Sequence, residues 1–126
     1  MSVYKARILN TNHEVNGYRL SDQAISSIVS EGKLVPVTLE PLSQRSIGVG
    51  GNISKDPEDG IVSADLMISS AVDLSSMYCV PAFSFVDDDL TILEDGTRIL
   101  NHVTLISLCV TFDPADETLT KIQKTS

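Results

Sequence analysis

The sequence predicts a mainly β fold: one compact, barrel-like domain over residues 1–126, with one or two short helices. Two observations carry this. Short apolar segments recur between clusters of Gly, Pro, Asp and Asn, as strands joined by turns do. Only one stretch, near residues 21–32, has apolar residues at helical spacing. With 42% hydrophobic residues in 126, the chain has enough apolar side chain for one core without a disulfide scaffold.

The elements follow in order. Val3–Leu9 alternates loosely and reads as a first strand, and the polar stretch that follows, with His13, is turn-forming. In "LSDQAISSIVSEGK", Ser21 or Asp22 caps a helix N-terminus by accepting from free N–H groups. Ala24, Ile25, Ile28 and Val29 form its apolar stripe, and Gly32 ends it in the left-handed conformation. "KLVPVTLEP" is a short strand. "RSIGVGGNIS" is a strand with a bulge or close backbone approach near Gly50 and Gly51. "KDPEDG" is a turn, and "IVSADLMIS" returns as a half-buried strand, giving a hairpin from about Ile47 to Ser69 with Val62, Leu66 and Ile68 inward.

Further on, a short helix is expected around Leu74 to Tyr78, then a strand in "AFSFV" and a hairpin turn at Asp95-Gly96. "RILNHVTLISLCVTF" reads as a long strand or a bent pair, apolar on both faces from Val103 to Phe112 and so covered on both sides. The tail "LTKIQKTS" is polar and expected to be peripheral.

Charge excludes some functions. Nine basic against seventeen acidic residues give a net charge of −8, and the cations show no cluster along the chain. A broad phosphate-neutralising face for nucleic acid is therefore not expected. Eleven acids fall in predicted turns (Asp56, Glu58, Asp59, Asp87, Asp88, Asp89, Glu94, Asp95, Asp113, Asp116 and Glu117), which makes them solvated loop residues rather than paired catalytic carboxylates. The Asp87–Asp89 run lacks the spacing of an EF-hand loop, and there is no Cys-x-x-Cys and no close histidine pair. No metal, no cofactor and no membrane contact are expected. No apolar run is long enough to span a bilayer, and the first ten residues lack the apolar centre of a signal peptide. Cys79 and Cys109 are read as free thiols, and His13 and His102 as structural.

From about Val35 to Glu117, four segments occur in a telling order: "RSIGVGGNI", "EDGIVSADLMIS", "PAFSFV" and "RILNHVTLISLCVTFDPADE". This order resembles the prohead proteases of tailed phages, a family that shares a β-barrel fold with the herpesvirus assemblins. The final segment carries the most specific likeness, an apolar strand followed by Pro114-Ala115. The resemblance implies a serine on the third segment, where Ser84 stands, and a histidine before "IG". That position has Glu40 and Pro41 nearby and no histidine; Phe85 stands where a glycine should follow the serine; His102 stands where the family has an acid. The resemblance thus implies a protease-like barrel that is not an enzyme: a capsid decoration or accessory head protein of the virion. Its expected partner is the major capsid protein, with self-association into a homo-oligomer. The expected place is the capsid surface, after assembly in the host cytoplasm. Tyr4 on the first strand, and Ile47 and Val49 on the glycine-rich strand, are the expected interface residues, through exposed strand edges. Two alternatives stand beside this: a compact maturation serine protease using Ser84 and His102, and a β-rich interaction domain of a tail or other assembly.

Overall fold

A computed structural model describes residues 2–14, 17–39, 46–69, 72–112 and 119–125. Ten strands and one α-helix form a seven-stranded sheet, curled into a half-barrel, and a three-stranded sheet beside it. The prediction of a mainly β, barrel-like domain holds.

Strand β1 (Ser2–Asn10) places Tyr4, Ala6, Ile8 and Leu9 inside and Lys5 and Arg7 outside. It runs antiparallel to β5 (Ile61–Ile68), which in turn pairs with β4 (Ser46–Lys55). The β4–β5 hairpin is the one expected, with Val62, Ala64, Leu66 and Ile68 all buried. Its turn is built by side chains. Asp56 and Asp59 carboxylates accept from the N–H groups of Glu58 (2.8 Å) and Ile61 (2.9 Å), and Gly60 takes φ +71. The expected bulge lies between Gly51 and Ser54, where Asn52 adopts φ +51 and donates its amide to Asp65 Oδ2 at 2.7 Å. Gly50 is bare for a second reason: a Cβ there would lie 2.5 Å from Leu108 Cδ1 and 3.3 Å from Leu66 Cδ2.

Strand β3 (Val35–Leu39) joins β4 antiparallel and β9 (Thr104–Thr111) parallel; its pairing with β9 starts at Val37, past Pro36. Strand β6 (Tyr78–Ser84) closes the far edge against β9, a place that tolerates the missing N–H of Pro81. The curl brings β6 back beside β1. Between them runs the C-terminal segment. Strand β10 (Gln123–Lys124) pairs with β1, Thr125 N–H donates to Val3 O at 2.8 Å, and Ile122 N–H donates to Met77 O at 2.9 Å. The tail is therefore not peripheral: Ile122 is 2% exposed and Leu119 is buried. Its polar composition conceals two apolar anchors.

Helix α1 (Asp22–Glu31) matches the expectation, with Ser21 Oγ accepting from Ala24 N–H at 3.1 Å and Gly32 at φ +60. Ala24, Ile25 and Ile28 face the core, against β4 and β2 (Arg19–Leu20). The smaller sheet has β8 (Arg98–Leu100) between β2, parallel, and β7 (Leu90–Ile92), antiparallel.

Two further expectations are corrected, and one open reading is resolved. The segment from Leu74 to Met77 is a turn rather than a helix: Met77 N–H donates to Leu74 O, and Asp73 Oδ1 accepts from both the N–H and the hydroxyl of Ser75. The "RILNHVTLISLCVTF" segment is the bent pair of the two readings, broken at Asn101–Val103 so that β8 and β9 belong to different sheets. Strand β9 is internal, between β3 and β6, but covered on one face: Leu105, Leu108 and Val110 are buried, while Ile106 is half exposed. The expectations placed on Glu40, Pro41, Asp113, Pro114, Ala115, Asp116 and Glu117 lie outside the described residues.

Candidate functional site

The two residues of the protease alternative end up at one place. Ser84 closes β6 opposite Thr104, and His102 lies two residues before Thr104. Both are exposed, and no hydrogen bond joins them among the described residues. A serine nucleophile needs a base that takes its proton and a third group that orients that base. Among the described residues, nothing holds His102 in such a position.

The expected interface residues Tyr4, Ile47 and Val49 differ in their exposure. Tyr4 is 2% exposed, with its hydroxyl toward Val72 O at 3.5 Å. Strand β1 pairs with β5 from Ser2 to Asn10 and, on its other side, with β10 at Tyr4 and Lys5. Strand β4 is likewise internal, between β3 and β5. Of the three residues Val49 alone is exposed, at 39%; Ile47 packs partly against the core.

One edge of the small sheet is β7. Register fixes which of its backbone groups face outward. Asn101 N–H donates to Asp89 O (2.9 Å) and Leu93 N–H to Thr97 O (2.8 Å), so residues 89, 91 and 93 turn their backbone toward β8. The N–H and C=O of Ile92 and the C=O of Leu90 point the other way, off the end of the sheet. Beside this edge sit exposed apolar side chains: Val86 at 62%, Ile92 at 64%, and Phe85 and Leu93. They belong to one surface. Phe85 packs edge-on against Tyr18 with centroids 5.3 Å apart, Arg98 lies over the same Tyr18 ring at 5.8 Å, and Ile92 is the cross-strand neighbour of Arg98.

Acids rim the patch. Asp87, Asp88 and Asp89 form a 3-10 turn directly before β7, and Glu94 and Asp95 form the turn after it. The Thr97 hydroxyl and N–H hold the Asp95 carboxyl below its ordinary range, which keeps it ionised. An open strand edge with apolar anchors and a negative rim suits an extended segment of a partner that is both apolar and basic. The residues were visible in the sequence as solvated turns; their grouping around one edge follows only from the β7–β8 pairing.

A second feature was invisible in the linear order of the cations. Lys5, Arg7, Lys55 and Lys121 line one groove of about 600 Å³ on the outer side of the large sheet. Asp56, Glu58 and Asp59 line the same groove, so its charge is mixed rather than basic.

Cys79 and Cys109 form no disulfide with each other. Cys79 stands opposite Val110, and Cys109 opposite Val80, so the two side chains leave opposite faces of the sheet and do not meet. Burial, with a smaller push from Cys109, raises the Cys79 thiol well above its ordinary range. An unfolded thiol ionises near pH 8.5, whereas the folded one stays neutral. Stability is therefore unaffected by Cys79 below about pH 8.5 and falls as pH rises beyond it. Thermal melts of the wild type should drop more steeply above that pH than melts of Cys79→Val. Ellman's reagent should modify Cys109 first and Cys79 only on unfolding; equal rates would refute the burial of Cys79.

Among the described residues no group of three His, Cys, Asp or Glu side chains is placed to hold a metal, and no helix is long and apolar enough to cross a membrane. Among the described residues the fold and surface define a half-barrel β domain whose β7 edge is rimmed by acids. The chain matches no family model, no curated protein and no solved structure.

Proposed function

We propose that this chain is a non-enzymatic virion protein: a capsid decoration or accessory head protein that binds the major capsid protein on the surface of a tailed-phage head. The observation that carries the reading is the β7 edge, where an outward-facing backbone, the side chains of Val86 and Ile92, and five surrounding carboxylates converge. The order of motifs shared with the prohead proteases supplies the setting. A protein present in many copies needs only modest contacts per subunit, because multivalent attachment multiplies them.

The test is co-sedimentation with shells assembled from the major capsid protein of the encoding phage. Wild type should pellet with shells at low salt and progressively less as salt rises, since screening weakens an acid-rimmed contact. Ile92→Asp should abolish pelleting while leaving the melting temperature unchanged, because Ile92 is exposed. Failure of the wild type to bind shells, or undiminished binding by Ile92→Asp, would refute the reading.

The protease alternative keeps one observation, the placing of Ser84 and His102 at the same end of the β6–β9 pair. Cleavage of the capsid protein by the purified chain, lost in Ser84→Ala, would replace the reading above.

A further inference from the structure

We infer that the partner adds a strand to β7: an extended peptide segment, basic at both ends, pairs with the outer edge of the small sheet and sets an apolar residue beside Ile92. This rests on the proposed contact at β7 and names the chemistry of what that contact takes.

The backbone calls for a strand rather than a folded surface. Ile92 N–H, Ile92 C=O and Leu90 C=O point away from β8, and among the described residues none of the three has a hydrogen-bond partner. The Leu90 N–H is taken by Asp87 O, so the edge offers one donor and two acceptors. An incoming antiparallel strand exchanges two hydrogen bonds with Ile92 through one residue and donates a third to Leu90 C=O two residues further on. A parallel strand also closes three, through the residues on either side of the one opposite Ile92.

Side chains set what that strand carries. Directly opposite residues share a face of the sheet. Ile92 shares its face with Arg98, which lies over the Tyr18 ring that Phe85 packs against. A partner residue opposite Ile92 therefore meets an apolar shelf, and an apolar side chain there covers the exposed Ile92. Acids flank the shelf: Asp89 lies three residues before Ile92 and Glu94 two after it. Bases about two or three residues to either side of the central apolar residue thus reach both acid groups.

The charge is one-sided. From Asp87 to Arg98 the chain has five acids and one base, and that base, Arg98, is placed over the Tyr18 ring. A second copy of this chain is excluded as the occupant, because two β7 edges would bring the same five carboxylates face to face. Sheet edges are commonly guarded by lysine, proline or a bulge. The β7 sequence Leu90-Thr91-Ile92 has neither lysine nor proline, and its register with β8 is unbroken. Its protections are short length and the acids at its ends, and those acids select a basic strand while repelling others.

The experiment is a two-dimensional NMR titration of the intact protein at low salt with the peptide acetyl-Thr-Arg-Lys-Thr-Val-Thr-Lys-Arg-Thr-amide, up to about 5 mM. Saturable amide shifts should appear at Leu90, Thr91, Ile92 and Leu93. Exchange of the Ile92 amide hydrogen should slow by about five-fold or more at saturation, a change that charge attraction without strand pairing does not produce. The same peptide with glutamate at its four basic positions should not bind. N-methylation of the central valine should weaken binding by about three- to ten-fold if the strand is antiparallel, and N-methylation of the two flanking threonines should do so if it is parallel. Either result supports strand addition. Equal losses in both methylated peptides or loss in neither, an unchanged Ile92 exchange rate, or self-association through β7 on concentration would overturn it. Co-sedimentation with shells separates the two proposals. Shell binding that depends on Ile92 without any peptide shift would overturn strand addition and leave the capsid contact standing; peptide binding without shell binding would support strand addition and refute the capsid contact.

Discussion

Deleting residues 1–9 should leave a chain that does not fold. Strand β1 is an internal strand, hydrogen-bonded to β5 on one side and to β10 on the other. Its inner face contributes Tyr4, Ala6, Ile8 and Leu9 to the core. Burying a large apolar side chain contributes about 1.5–3 kcal/mol, so three of these alone contribute roughly 5–9 kcal/mol. A domain of ordinary stability has only about 5–15 kcal/mol in total. The deletion also strips the ladder partners from β5 and leaves β10 with nothing to pair. Circular dichroism should show no cooperative melt, and amide NMR signals should collapse into the narrow range of an unfolded chain. A truncated protein with a sharp melt would mean that β1 is dispensable and that the seven-stranded order is wrong.

Leu108→Ala should be the most damaging single substitution at the β9 centre. Leu108 is fully buried, opposite Pro81 on β6 and Val37 on β3, and its Cδ1 lies where Gly50 leaves room. Truncating such a leucine costs about 2–5 kcal/mol, from lost burial plus the cavity left behind. Chemical denaturation should show that loss in the midpoint with little change in slope. Gly50→Ala should destabilise by about 1–3 kcal/mol through overpacking against the same Leu108 methyl. The two should not add. An alanine methyl at position 50 enters the space that Leu108→Ala vacates, so the double variant should be more stable than the sum by about 0.5–3 kcal/mol. Strict additivity would show that the two positions are not in contact.

Some of this fold is legible in local sequence. Ser21, the Ala24–Val29 stripe and Gly32 mark both ends of α1 and its buried face, because capping and helical period act within a few residues. The "KDPEDG" turn and the alternation of β5 do the same for the hairpin. What is not legible depends on which strands become neighbours. Alternation in β1 marks Tyr4 as facing one side, but the pairing that makes this strand internal comes from residues more than fifty positions away. The break at Asn101–Val103 is marked in the sequence only by the polar pair Asn101-His102, and the separation of β8 and β9 into two sheets is what shows it to be a break. The tail misleads for a simpler reason: Leu119 and Ile122 are two apolar residues in polar company, and average composition hides them. The same limit governs function. Ser84 and His102 can be singled out by residue type, whereas the outward backbone groups of Leu90 and Ile92 exist only once β7 pairs with β8.

The pairing of β1 with β10 also sets a timetable. Residues 4 and 124 are partners, so during synthesis β1 gains this second neighbour only after about 120 further residues have emerged. Until then β1 offers one unpaired backbone edge and a waiting apolar face. Contacts of such long sequence separation slow folding, because loop-closure entropy is lost before they form. During synthesis β1 therefore stays exposed to mispairing until β10 emerges.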